Sequence, residues 1–121
     1  MTADQDRAHF AMWCMLSSPL IAGNDVSNMS EITRQILTNA HAISVNQDPA
    51  GKQAQLITNH TDGWQAWVKN LSSPHGAVAV TLLNRGTDSV DATLNFSSFG
   101  GAASYSGLDV WTGQVSQLHA S

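Results

Sequence analysis

Ser17-Ser18-Pro19-Leu20-Ile21-Ala22-Gly23-Asn24-Asp25 is the stretch that decides how this chain folds. Pro19 cannot continue the apolar run before it as a helix, because its ring fixes φ and removes a backbone donor. Leu20, Ile21 and Ala22 therefore read as a short buried strand that Gly23-Asn24-Asp25 brings to a turn. An apolar helical run precedes it and an amphipathic one follows, the repeating unit of a parallel α/β layer with both strand faces covered. One such strand cannot bury itself. Its partners are expected on chain not contained in these residues, or on another molecule.

Upstream, Thr2 with Gln5 resembles a capping box, and Asp4 and Asp6 put negative charge in the first turn. This predicts a helix from about Ala3 to Leu16, apolar nearly all round in its second half and so packed on more than one side. Downstream, Ser30 can cap a second helix in which Ile32, Ile36 and Leu37 share a face, ending near Asn39. Ile43 and Val45 read as a short extended piece before the turn Asn46-Gln47-Asp48-Pro49-Ala50-Gly51. Beyond it no helical period recurs. Strands are expected at Gln55 to Thr58, Trp64 to Lys69, Ala77 to Asn84, Asp91 to Phe96, Tyr105 to Trp111, and a last one from Val115. Between them stand Thr61-Asp62-Gly63, Ser72-Ser73-Pro74-His75-Gly76, Arg85-Gly86-Thr87-Asp88, Gly100-Gly101 and Thr112-Gly113. Turn signals about every ten residues suggest an antiparallel sandwich or barrel. The fold class is thus α/β plus all-β, with an α/β piece over 1–50 and an all-β piece over 51–121.

The 121 residues, 42% of them hydrophobic, suffice for a globular core. Nine acidic against five basic residues, with no basic run, leave no surface suited to nucleic acid. No apolar stretch approaches a membrane span. Charged residues are only 12% while Ser, Thr, Asn and Gly abound, a balance that leans towards a secreted protein. Met1-Thr-Ala-Asp-Gln-Asp-Arg has neither the basic nor the apolar region of a signal peptide, so Met1 would not be the natural start of a secreted chain. Oligomeric state is not legible.

Among the carboxylates, Asp4 and Asp6 are two apart on a helix and cannot flank one bond. Asn24 and Asp25 follow a parallel-type strand, where α/β barrels carry substrate-side loops, although a turn role is the favoured reading of Asp25. Asp48 opens an Asp-Pro-Ala-Gly turn, in which its side chain has a local hydrogen-bonding role. His9, His41, His60, His75 and His119 show no metal-ligand spacing, and His9 is expected in the core. Cys14, alone among Phe10, Ala11, Met12, Trp13, Met15 and Leu16, reads as a buried thiol. No metal site and no phosphate loop is expected. Asn28-Met-Ser, Asn59-His-Thr, Asn70-Leu-Ser and Asn95-Phe-Ser fit the N-glycosylation acceptor and favour a secretory product. Trp64 and Trp67 should point to opposite faces of one strand, one of them into the core.

Arg7-Ala-His-Phe-Ala-Met-Trp-Cys-Met-Leu-Ser-Ser-Pro-Leu-Ile-Ala-Gly-Asn-Asp25, Ile36-Leu-Thr-Asn39 and Val45-Asn-Gln-Asp-Pro-Ala-Gly-Lys-Gln53 resemble the C-terminal part of family 27 glycoside hydrolases, the α-galactosidases and α-N-acetylgalactosaminidases. The likeness continues through Trp67-Val68-Lys69, Val78-Ala79-Val80, Asn84-Arg85-Gly86 and Asp109-Val-Trp-Thr-Gly113. It implies the end of a (β/α)8 barrel followed by an antiparallel β-sandwich that stops before its last strands. It also implies a retaining enzyme, free of metal and cofactor, that acts on α-galactosides through two Asp residues. The Lys-Tyr-Asp and Trp-Asn-Asp-Pro-Asp motifs of the family are absent, so the resemblance implies no catalytic residue in this chain. Position 50 is Ala where relatives usually have Leu. The expected location is secreted or extracellular, lysosomal or vacuolar sites included. A rival reading is a non-catalytic β-sandwich module that binds carbohydrate or stabilises a barrel.

Overall fold

The computed structural model describes residues 1–73, 76–98 and 104–119. Helix α1 spans Ala3–Met15 and begins with the expected capping box: Gln5 N donates to Thr2 Oγ1 at 3.3 Å, and Thr2 N donates to Gln5 Oε1 at 2.8 Å. Helix α2, Glu31–Leu37, is capped by Ser30, whose Oγ accepts from Thr33 N at 3.1 Å. It ends before Asn39 because Asn39 starts another helix. Asn39 Oδ1 accepts from Ala42 N at 3.0 Å and opens α3, Ala40–Asn46, where an extended piece is expected from Ile43 and Val45. The β-branched side chains cost helix propensity only modestly, and packing of Ile43 against the core outweighs it.

The expected strand at Leu20–Ala22 is corrected. These residues carry no strand ladder, and Ile21 is 75% exposed. A strand exists only through hydrogen bonds to a neighbour, and among the described residues none lies alongside. Leu20 instead packs partly buried against Phe10, Cys14, Ile36 and Ala42, with Leu37, Ile43, Val110 and Trp111 around the same cluster.

Strands β1 (Gln55–Asn59), β2 (Trp64–Asn70) and β3 (Val78–Asn84) form an antiparallel sheet in that order. The β2–β3 register is regular from Trp64↔Asn84 to Asn70↔Val78, whereas β1 slips between Leu56 and Thr58. Strands β4 (Ser104–Leu108) and β5 (Val115–His119) pair in a second antiparallel sheet. β4 ends three residues before Trp111 because Asp109 starts a turn: its Oδ1 accepts from Trp111 N at 2.9 Å, and Gly113 N donates back to Asp109 O at 2.8 Å. Gly113 sits at φ 76°, which a side chain would strain. The strand expected from Asp91 to Phe96 does not form. Phe96–Ser98 is a 3-10 turn closed by Ser98 N to Asn95 O, and no described strand pairs with the residues before it. Pro74, His75, Gly100 and Gly101 of the expected turns lie outside the described residues.

Strand alternation places Trp64, Ala66 and Val68 in a buried stripe and Trp67 half-buried on the other face, as expected for a three-residue separation. His9 is exposed, contrary to expectation, and meets Trp13 edge-on at 4.8 Å. It falls on the face of α1 that Phe10, Cys14 and Met15 leave outside the core.

Candidate functional site

A long-range polar cluster surrounds Lys69. Alternation on β2 turns its side chain towards the helices, where it is wholly buried. Its Nζ donates to Val45 O at 2.6 Å, Ser17 Oγ at 2.7 Å and Cys14 O at 3.2 Å. Ser17, at φ 54°, turns its hydroxyl back to donate to Lys52 O at 3.1 Å. Beside it, Ala54 N donates to Met15 O at 2.8 Å, and buried Asn46 donates through Nδ2 to Ser18 O at 2.8 Å. Burial pushes the Lys69 pKa below its usual value, with Asp48 and Cys14 pulling it partly back. Burial raises the Cys14 thiol to about 11 against the opposing pull of Lys69, so it is no ready nucleophile.

Asp48 fastens the same junction from outside. It accepts from Ala50 N at 3.1 Å, as its turn role requires, and also from Ser72 N at 3.0 Å and Ser72 Oγ at 2.9 Å. The Ser72 backbone N–H is the chief cause that holds its carboxyl below the usual range. On the far side of the core, Asn39 Nδ2 donates to Val110 O at 2.9 Å, which docks the β4–β5 turn and Trp111 on the helices.

Asn24 and Asp25 lie exposed on the loop after Ala22. Asp25 Oδ1 accepts from Ser27 Oγ at 2.6 Å and Ser27 N at 3.0 Å, which lowers its pKa. Among the described residues the Asp25 carboxylate bonds only to Ser27 and does not meet Asp48 or another carboxylate, while Asp4 pairs with Arg7, Glu31 with Arg34, and Asp62 with His60. Among the described residues no three His, Cys, Asp or Glu side chains gather as metal ligands. Asn28, Asn59, Asn70 and Asn95 are all exposed. A cleft of about 600 Å³ opens between helices and sheets, lined by Cys14, Val45, Leu71, Tyr105 and Trp111 among others. Sequence reasoning missed Lys69; its one local signal is a lone cation in the strand Trp-Gln-Ala-Trp-Val-Lys-Asn.

Residues 1–48 match the family described as Alpha galactosidase A, and residues 61–121 match the Alpha galactosidase C-terminal beta sandwich domain. The chain is 44% identical over 97 residues to Alpha-galactosidase A of Cellvibrio japonicus, covering 80% of this chain and 23% of that protein. It is 35% identical over 113 residues to the α-galactosidase of Coffea arabica, covering 92% and 29% respectively. Its fold superposes on α-galactosidase I of Mortierella vinacea with TM-score 0.90 at 29% identity, covering 99% of this chain and 32% of that one. The α-galactosidase of Saccharomyces cerevisiae solved with raffinose gives 0.82 at 29% identity, over 92% of this chain and 28% of that one. The chain thus spans about a quarter of the length of the curated relatives it matches. With helices where the catalytic-domain family matches and antiparallel sheets where the sandwich family matches, the chain belongs to the α-galactosidases of glycoside hydrolase family 27, as the end of the (β/α)8 barrel joined to the C-terminal β-sandwich.

Proposed function

We propose that this chain serves as the C-terminal part of a retaining α-galactosidase that removes terminal α-galactosyl residues from oligosaccharides, polysaccharides or glycoconjugates. The observation that carries the reading is the match to both family segments along one chain. The division falls near residue 50, and Asn24 and Asp25 lie on the substrate side of the assembled barrel. The 121 residues alone do not turn over galactosides. A retaining mechanism uses two carboxylates about 5 Å apart, whereas Asp25 and Asp48 are each engaged by Ser hydroxyl and backbone donors. Assay of the chain with an aryl α-galactoside should give no turnover. Turnover above a denatured control that vanished on Asp25→Asn would overturn the reading and make Asp25 catalytic.

Secretion, or delivery to a lysosome or vacuole, belongs to the same proposal and is supported by the four exposed sequons. Mass spectrometry of the native protein should find glycan on at least one of them, and four unmodified Asn residues would count against it. The binding-module alternative would need a flat aromatic platform. Trp64 is buried and Trp67 lies on the opposite face with its Nε1 donating to Gln65 Oε1, which gives that alternative little support.

A further inference from the structure

Among the described residues Lys69 is the one charged side chain that is buried. Arg7 and Arg34 pair with exposed carboxylates on the surface, whereas no described carboxylate comes within ion-pair distance of the Lys69 ammonium. Its acceptors are two helix carbonyls and one hydroxyl. Cys14 lies in the last turn of α1 and Val45 in the last turn of α3, and neither helix has a basic residue of its own there. The last carbonyls of a helix lack intrahelical donors and carry the negative end of its dipole. A cation delivered from β2 answers both ends at once.

The proton count at this point is strict. The single Ser17 hydroxyl proton goes to Lys52 O, so the Ser17 oxygen can only accept from Nζ. Cys14 O and Val45 O can only accept as well. Three acceptors require three protons, which an ammonium has and a neutral amine lacks. We propose that Lys69 is a charged latch: one ammonium closes the C-termini of α1 and α3 onto β2 and, through Ser17, fixes the link at residues 52–54. Burial opposes the charge, so the latch serves placement more than net stability, a use of buried ionic groups that holds one arrangement against others. In the enzyme proposed above, it would set the barrel end against the sandwich. That clause rests on the enzyme reading; the latch itself does not.

The test uses the 121-residue chain and needs no activity. Nitrogen-15 NMR of the lysine side chains should show a Lys69 ammonium whose protons exchange at least tenfold more slowly than those of Lys52, with through-bond coupling to the Cys14 and Val45 carbonyl carbons. Lys69→Met keeps the apolar stem and removes the donors. It should speed amide exchange at the ends of α1 and α3 and at Ala54 by tenfold or more, while Ala66 and Val68 stay unchanged. Ser17→Ala should speed exchange at 52–54 in the same sense and by less. Lys69 protons exchanging as fast as those of Lys52, or helix-end exchange unaltered in Lys69→Met, would overturn the latch. Should Lys69→Met fail to fold, the wild-type ammonium spectrum and Ser17→Ala decide.

Discussion

Strand β2 and the segment Leu20–Ala22 have similar apolar, strand-compatible sequences and opposite fates. β2 is flanked by β1 and β3 and buries Trp64, Ala66 and Val68. Leu20–Ala22 has no ladder, and Ile21 is left 75% exposed, with Val26 at 64% further along the loop. The difference teaches that an apolar run specifies what it would bury, while neighbours decide whether it becomes a strand. In a sheet the neighbours supply both the hydrogen bonds and the cover.

The sharpest way to break this comparison is to truncate one residue from each region. Trp64→Ala should lower the unfolding free energy by about 3–5 kcal/mol, the range for a buried aromatic. Ile21→Ala should change it by less than about 0.5 kcal/mol, as for an exposed side chain without partners. Denaturant titration of the two variants reads both values, and equal losses would erase the distinction.

A second, smaller contrast sets Asp48 against Asp25. Asp48 clamps Ser72 across 24 residues of sequence, whereas Asp25 bonds only to Ser27. The folded pKa of Asp48 lies below its usual value of 3.8, chiefly because of the Ser72 backbone N–H. A carboxylate lowered in the folded state contributes stability above its unfolded pKa, and loses that contribution as pH falls through the folded value. Asp48→Asn should therefore melt below wild type near neutral pH, with the gap closing below about pH 4. Asp25→Asn should shift the same profile less, because its bonds join residues only two apart. Thermal melts across pH check the order of the two variants.

The smallest effect on stability should come from Ile21→Lys, which is expected to leave the melting curve within about 0.5 kcal/mol of wild type. Its effect should fall instead on association, since exposed apolar patches promote it. Hydrophobic-dye fluorescence and light scattering should both decline in the variant. Unchanged association would place the adhesive surface elsewhere, for instance on Val115, Leu118 and Leu82.

Much of this fold is legible residue by residue. Thr2 and Gln5 announce α1, Ser30 announces α2, and the alternation of Trp64 to Asn70 announces β2 and the opposed faces of its two tryptophans. α3 is hidden because Ile43 and Val45 favour extended backbone locally, and only the Asn39 cap and the packing of Ile43 reveal a helix. The alternation from Asp91 to Phe96 favours a strand, yet no described strand pairs with the residues before the 3-10 turn at Phe96–Ser98. The turn role of Asp48 is local and legible, but its Ser72 clamp is not. Lys69 is least legible of all, since its acceptors lie 24 to 55 residues away and obey no spacing rule.

Backbone hydrogen exchange of the 121-residue chain tests the central claim most directly, namely that Leu20–Ala22 has no strand neighbour among the described residues while β2 is a finished strand. The account predicts that the amides of Leu20, Ile21 and Ala22 exchange near the rate of an unstructured peptide, whereas those of Ala66 and Val68 exchange only on global unfolding. Protection of Leu20–Ala22 equal to that of β2 would contradict it.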